Sequence, residues 1–194
     1  MEPFELIDRQ DSLLIVIDVQ DFFLAKLTTA ARLAVTQNIG WLVGVASKLE
    51  MPILATAEDL PAVGGVSAAI ADQLPVGTPV FNKMTFGLAA EPEIMAAVAQ
   101  TGRQTAVLVG LETDVCVAQS ALGLLKAGYR VVVPADAVAT PESGQPFGLA
   151  RMRDAGVLIS STKGLYYEWV RTVKASEAFK DTYGAEIGDP AVGL

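Results

Sequence analysis

A chain of 194 residues, 52% hydrophobic and 19% charged, has the length of one domain and lies far from a disordered composition. Its 14 basic and 22 acidic residues give a net charge of −8, and the basic ones are scattered, which argues against a nucleic-acid partner. With no histidine and one cysteine, a Cys-His pair, a histidine-built metal site and an intramolecular disulfide are all excluded.

The N-terminal stretch has neither a basic start nor an apolar signal core, and no apolar run approaches the roughly eighteen residues needed to cross a bilayer. A reducing cytoplasm and no membrane role are therefore expected. The first apolar run, residues 13–17, reads as a buried strand and is followed at once by Asp18. Residues 30–49 place Leu33, Ile39, Leu42, Val43 and Ala46 at helical spacings. A second strand at 52–56 leads to Glu58 and Asp59, and a loop is expected at 61–65. A third strand at 79–81 leads to Asn82 and Lys83, and an Ala-rich helix follows at 93–100. A fourth strand at 106–109 leads into Gly110 to Cys116, then a helix over 113–127 closed by Gly128. Strands at 130–133 and 157–159, with a loop at 141–146 between them, complete the pattern.

These runs are apolar throughout rather than alternating, as strands covered on both faces must be. Strand and helix alternate along nearly the whole length, which predicts a three-layer α/β/α sandwich with a mainly parallel, roughly six-stranded sheet in a single domain spanning 1–194. In such a fold the active site lies beyond the carboxyl ends of the strands. Attention therefore falls on the residues that end each run.

Asp18 emerges at that edge, where the alternative is an ordinary capping or loop aspartate. Lys83 ends another strand and by the same rule faces the same crevice, where it would pair with Asp18; otherwise it is a plain surface lysine. Cys116 sits where a buried strand turns into a helix, with Thr113 or Asp114 as N-cap. In a first helical turn the unpaired N–H groups and positive dipole end lower a thiol's pKa and offer donors to an oxyanion. The alternative is a cysteine that merely packs. Without histidine the thiol proton must go elsewhere, and a carboxylate such as Asp18 is the acceptor that fits best. The chain has no glycine-rich phosphate loop, GxSxG elbow or calcium-loop spacing.

Three segments in this order resemble the isochorismatase-like cysteine hydrolase superfamily, which includes nicotinamidases and N-carbamoylsarcosine amidase. They are residues 14–23 around Asp18, then Asn82-Lys83 ahead of Phe86-Gly87, and Gly110-Leu-Glu-Thr-Asp-Val-Cys116-Val continuing to Asp136-Ala137. The resemblance implies a catalytic trio in which Asp18 is the base, Lys83 orients and stabilises, and Cys116 is the nucleophile. It also implies a cis peptide between Leu111 and Glu112, an oxyanion held by the N–H groups of Glu112 and Cys116, and a thioester intermediate. The family's histidine-rich metal site after the second strand is replaced here by residues 56–65, so no metal and no cofactor are expected, and nicotinamide is disfavoured. Vinyl-ether cleavage is disfavoured by Cys116 itself. What remains is C–N hydrolysis of a small amide or carbamoyl compound by a homo-oligomer. Thr113, Asp114 and Glu112 are candidates to shape the pocket, and Phe22, Phe23, Phe86 or Trp169 to line it. The rival readings are a catalytically idle family member acting as a binding or scaffold oligomer and a flavodoxin-like nucleotide binder, the latter lacking any phosphate loop.

Overall fold

The computed structural model describes residues 5–191. In chain order it forms β1 (Ser12–Ile17), α1 (Asp21–Leu24), α2 (Thr29–Lys48), β2 (Ile53–Glu58), α3 (Leu60–Val63), α4 (Ala68–Ala71) and β3 (Val80–Lys83). There follow α5 (Pro92–Gln100), β4 (Thr105–Leu111), α6 (Ala118–Lys126), β5 (Arg130–Pro134), β6 (Val138–Ala139), α7 (Gln145–Asp154), β7 (Leu158–Ser160), α8 (Thr162–Val170) and α9 (Val173–Ile187).

One seven-stranded sheet, parallel in every pairing, runs in the order β3-β2-β1-β4-β5-β7, with β6 added beyond β5 on β4. The two-residue side-chain period of a strand divides its apolar residues between two cores. Leu14, Val16, Val107, Val109 and Val132 pack under α2, α8 and α9. Leu13, Ile15, Ile17, Ala106, Leu108, Val131 and Val133 pack under α5, α6 and α7. Unbroken apolar runs are thus the sequence of a sheet with helices on both faces, and no described helix is long and apolar enough to cross a membrane.

The observed strands outrun the expected ones at the edge that matters. β2 extends through Glu58 and β3 through Lys83, because these polar residues still pair backbone to backbone at the register Glu58↔Lys83. The short β6 was not foreseen: two residues carry too little periodicity to read, and its pairing with Gly110 and Leu111 is set by a distant strand. Residues 30–49 do form a helix, α2, capped by the Thr28 hydroxyl accepting from Ala31 N. Its opening turns overhang the sheet, however, so Leu33 is exposed rather than packed.

Registered against Ile17, Gly110 lets β4 approach β1 closely just before the site. Its φ is +126°, and a Cβ there would lie 2.0 Å from the Ile17 carbonyl oxygen. Neither the conformation nor the contact tolerates a side chain. Gly110→Ala is expected to lower unfolding free energy by more than about 2 kcal/mol; a denaturant midpoint unchanged from the native protein would refute this account of the strand junction.

Candidate active site

Because β3, β2, β1 and β4 are neighbours in that order, their carboxyl ends bring Lys83, Glu58, Asp18 and the turn carrying Cys116 side by side. Asp18 follows the last residue of β1 at φ +49°, a left-handed conformation that aspartate adopts more readily than most residues. Thr56, on the adjoining β2, donates its hydroxyl to Asp18 Oδ1 at 2.8 Å. The other carboxylate oxygen, Oδ2, is 2.8 Å from Lys83 Nζ. Both side chains are sealed from solvent, at 1% and 0% exposure.

Lys83 is held by more than charge. Its ammonium donates to the Thr85 and Phe86 carbonyls at 2.7 and 3.2 Å and reaches Cys116 Sγ at 3.7 Å. Asp18 Oδ2 thus lies against the same ammonium that reaches the sulfur, and the Asp18 carboxylate bears directly on the thiol. The loop that supplies the two carbonyls is fastened by Glu91, whose Oε1 accepts from Thr85 Oγ1, Met84 N and Thr85 N, all at 3.0 Å. The Thr85 hydroxyl, first among these donors, holds the Glu91 carboxyl below its ordinary range.

Cys116 lies in a single wide helical turn, Thr113–Val117, that precedes α6. Val117 N donates to Glu112 O across five residues at 3.1 Å. Such a π-type turn displaces one residue from the regular ladder, a device common at functional sites. Neither Thr113 nor Asp114 caps it, contrary to the sequence expectation. Asp114 Oδ1 instead accepts from the Thr140 hydroxyl at 2.6 Å, and Thr113 Oγ1 is buried with no partner among the described residues. The Leu111–Glu112 peptide is cis.

Glu58, a strand-end residue to which the sequence gives no role, joins the same cluster in the structure. Its Oε2 accepts from the Cys116 thiol at 3.3 Å and lies 4.0 Å from Lys83 Nζ. One oxygen each from Asp18 and Glu58 and the Cys116 sulfur all fall within 4.8 Å of one another. The signal was the position of Glu58 near a strand end. Its backbone is gripped by the fully buried Gln20, whose Oε1 accepts from Glu58 N at 2.8 Å and whose Nε2 donates to Glu58 O at 2.9 Å.

The pocket candidates scatter. Phe23 is buried in the core edge-to-face with Phe22, and Lys26 lies over both rings while pairing with Glu112 at 3.1 Å. Phe86 is exposed beyond the Lys83 loop. Trp169 does not belong to this site: near the end of α8, it lines a cavity with Arg9 and Lys48 on the amino side of the sheet. Helical spacing shows that such a residue packs, but not at which end of the sheet.

The thiol's electrostatics reverse the expectation drawn from the helix start. Burial, foremost, and the Asp18 charge push its pKa up, and Lys83 only partly opposes them. The resting sulfur is therefore a protonated thiol. Because the folded thiol keeps its proton where an unfolded one would lose it, its contribution to stability is present at neutral pH and falls in alkaline solution. Cys116 alkylation by iodoacetamide, followed against pH by mass spectrometry, is expected to rise only above the range of an ordinary thiol. Asp18→Asn shifts the rise to lower pH by removing an anion, and Lys83→Met shifts it higher; unmoved profiles would contradict this. Lys83→Met also strands a buried carboxylate and is expected to cost about 3–5 kcal/mol of stability. Adding Asp18→Asn should restore most of that loss, measured by denaturant unfolding.

A model of the isochorismatase domain matches residues 12–164. A secreted isochorismatase effector, Isc1, from Phytophthora sojae is 32% identical over 161 residues, covering 81% of this chain and 76% of that protein. Among solved structures, the YcaC gene product of Escherichia coli, an octameric hydrolase of unknown specificity, superposes with a TM-score of 0.84 at 22% identity over 95% of this chain and 92% of its own. MAR1 ribonuclease from Caenorhabditis elegans does so at 0.82 and 23% identity, over 98% of each chain. At these identities the structural likeness is one of fold.

Proposed function

The chain belongs to the isochorismatase family, and on that premise we propose that it is a cysteine-dependent hydrolase cleaving a C–N bond of a small amide or carbamoyl compound. The observation that carries this reading is the buried Asp18 carboxylate, held by Lys83 at 2.8 Å beside a buried thiol that the same Lys83 reaches at 3.7 Å. A buried carboxylate paired with a lysine and set against the thiol is placed to take its proton when a carbonyl arrives.

In the proposed cycle the thiol proton passes to Asp18 while the sulfur's electron pair forms a C–S bond and the carbonyl π pair moves to oxygen. The backbone N–H groups of Glu112 and Cys116 receive the oxyanion. As the tetrahedral species collapses, the C–N bond breaks and the amine leaves with the proton from Asp18. Water then attacks the thioester, giving its proton to Asp18, and the acid departs as the thiol reforms. Lys83 keeps its charge throughout and offsets the anion wherever it resides. We assign this chemistry to residues 1–194 as one hydrolase domain acting without a metal or cofactor.

The exposed Phe147, Met84 and Phe22 offer apolar surface for self-association, and the octameric Escherichia coli neighbour fits a homo-oligomeric reading. What the name of the Caenorhabditis elegans neighbour says of RNA is not extended to this chain, whose charge of −8 and acidic site repel a polyphosphate.

The test is a screen of small amides, ureas and carbamoyl compounds for ammonia release, with Cys116→Ala as the blank. A hit that Cys116→Ala abolishes, and that Asp18→Asn slows by about 10²–10⁴, is expected. Full turnover by Cys116→Ala would overturn the mechanism, and silence across the library would favour the idle binding protein.

A further inference from the structure

Asp18 and Lys83 are closed off from anything entering the site, but the Glu58 side chain is 23% exposed and borders the sulfur from the open side. Among the described residues the Cys116 thiol is the hydrogen-bond donor to its carboxylate, at 3.3 Å. Lys83 Nζ, 4.0 Å away, contributes charge, its nearer partners being Asp18 Oδ2, the Thr85 and Phe86 carbonyls and Cys116 Sγ. The carboxylate does not swing freely at its base, because Gln20 bonds the Glu58 backbone on both its N–H and C=O and also donates to Gly64 O at 2.7 Å.

Once the sulfur has lost its proton and bonded to carbon, Glu58 has lost its donor. The substituents on the attacked carbon then sit two bonds from the sulfur, within reach of an oxygen already 3.3 Å from it. An anionic acceptor in that place is satisfied by an N–H and left unpaired by a methyl group. Against an ester oxygen or a carboxylate it is repelled, lone pair against lone pair. Sites built to bond a substrate N–H discriminate strongly against analogues that lack it.

Resting on the nucleophile reading above, we propose that Glu58 is a further catalytic-site residue, one that selects substrates whose attacked carbonyl bears an N–H nitrogen. Primary amides and carbamoyl groups enter; isosteric acyl groups without N–H, and anionic ones, are refused.

The probes are 4-nitrophenyl carbamate and 4-nitrophenyl acetate, which present NH₂ and CH₃ on otherwise alike carbonyls. With each, the C–S bond forms, nitrophenolate leaves with the C–O electron pair, and the thiol proton goes to Asp18, so one coloured equivalent per site reports acylation. The carbamate-to-acetate rate ratio, divided by that of free glutathione, is expected to exceed one by roughly tenfold or more in the native protein. Glu58→Leu should bring it to about one, and Glu58→Gln, which keeps a neutral acceptor, should leave an intermediate value. A ratio that neither variant changes, with a burst that Cys116→Ala abolishes, overturns this inference alone. A burst absent from the native protein, or retained by Cys116→Ala, overturns the nucleophile reading and this inference with it.

Discussion

The site depends on one buried ion pair. Lys83 and Asp18 lie on strands separated by β2, and neither charge is stable at zero exposure without the other. Their contact sets how far β3 must extend, why its following loop folds back to offer two carbonyls, and why Glu91 is needed to fasten that loop. The sheet supplies the positions and the ion pair sets what they can hold. A pair so desolvated adds little net stability, but it holds a carboxylate and an ammonium together where water cannot reach them, which a surface pair could not do.

Much of this was legible along the chain because strand ends in a parallel sheet share one edge. Asp18, Lys83 and the Cys116 turn each end an apolar run, and the fold brings all three together. Glu58 stood among the strand-end residues but without a role, because its pairing with Lys83 is a register between segments twenty-five residues apart that local pattern does not encode. The roles expected of Thr113 and Asp114 assumed an ordinary α-helical start. A turn one residue wider sends Asp114 to Thr140 instead. Trp169 and Leu33 show the same limit in helices: periodicity identifies an apolar face without saying how far the helix extends past the sheet.

The thiol shows local and global electrostatics in opposition. A helix start favours a thiolate within its first turn, but the effect is modest and short in range. Burial acts on the whole group, and Asp18 adds a neighbouring negative charge. Burial and the neighbouring charge outweigh the helix start, and the sulfur is held towards the thiol form. A thiol held in this form resists casual oxidation and alkylation, since those reactions draw on the thiolate.

The Gln20 clamp has a consequence for how such a site changes over evolutionary time. The end of β2 is fastened by a glutamine reaching over from the segment after β1, bonding only to backbone atoms of Glu58 and Gly64. The identity of the side chain at position 58 is therefore free of any duty to hold its own strand in place. A lineage can therefore exchange the residue that borders the sulfur without first rebuilding the sheet beneath it.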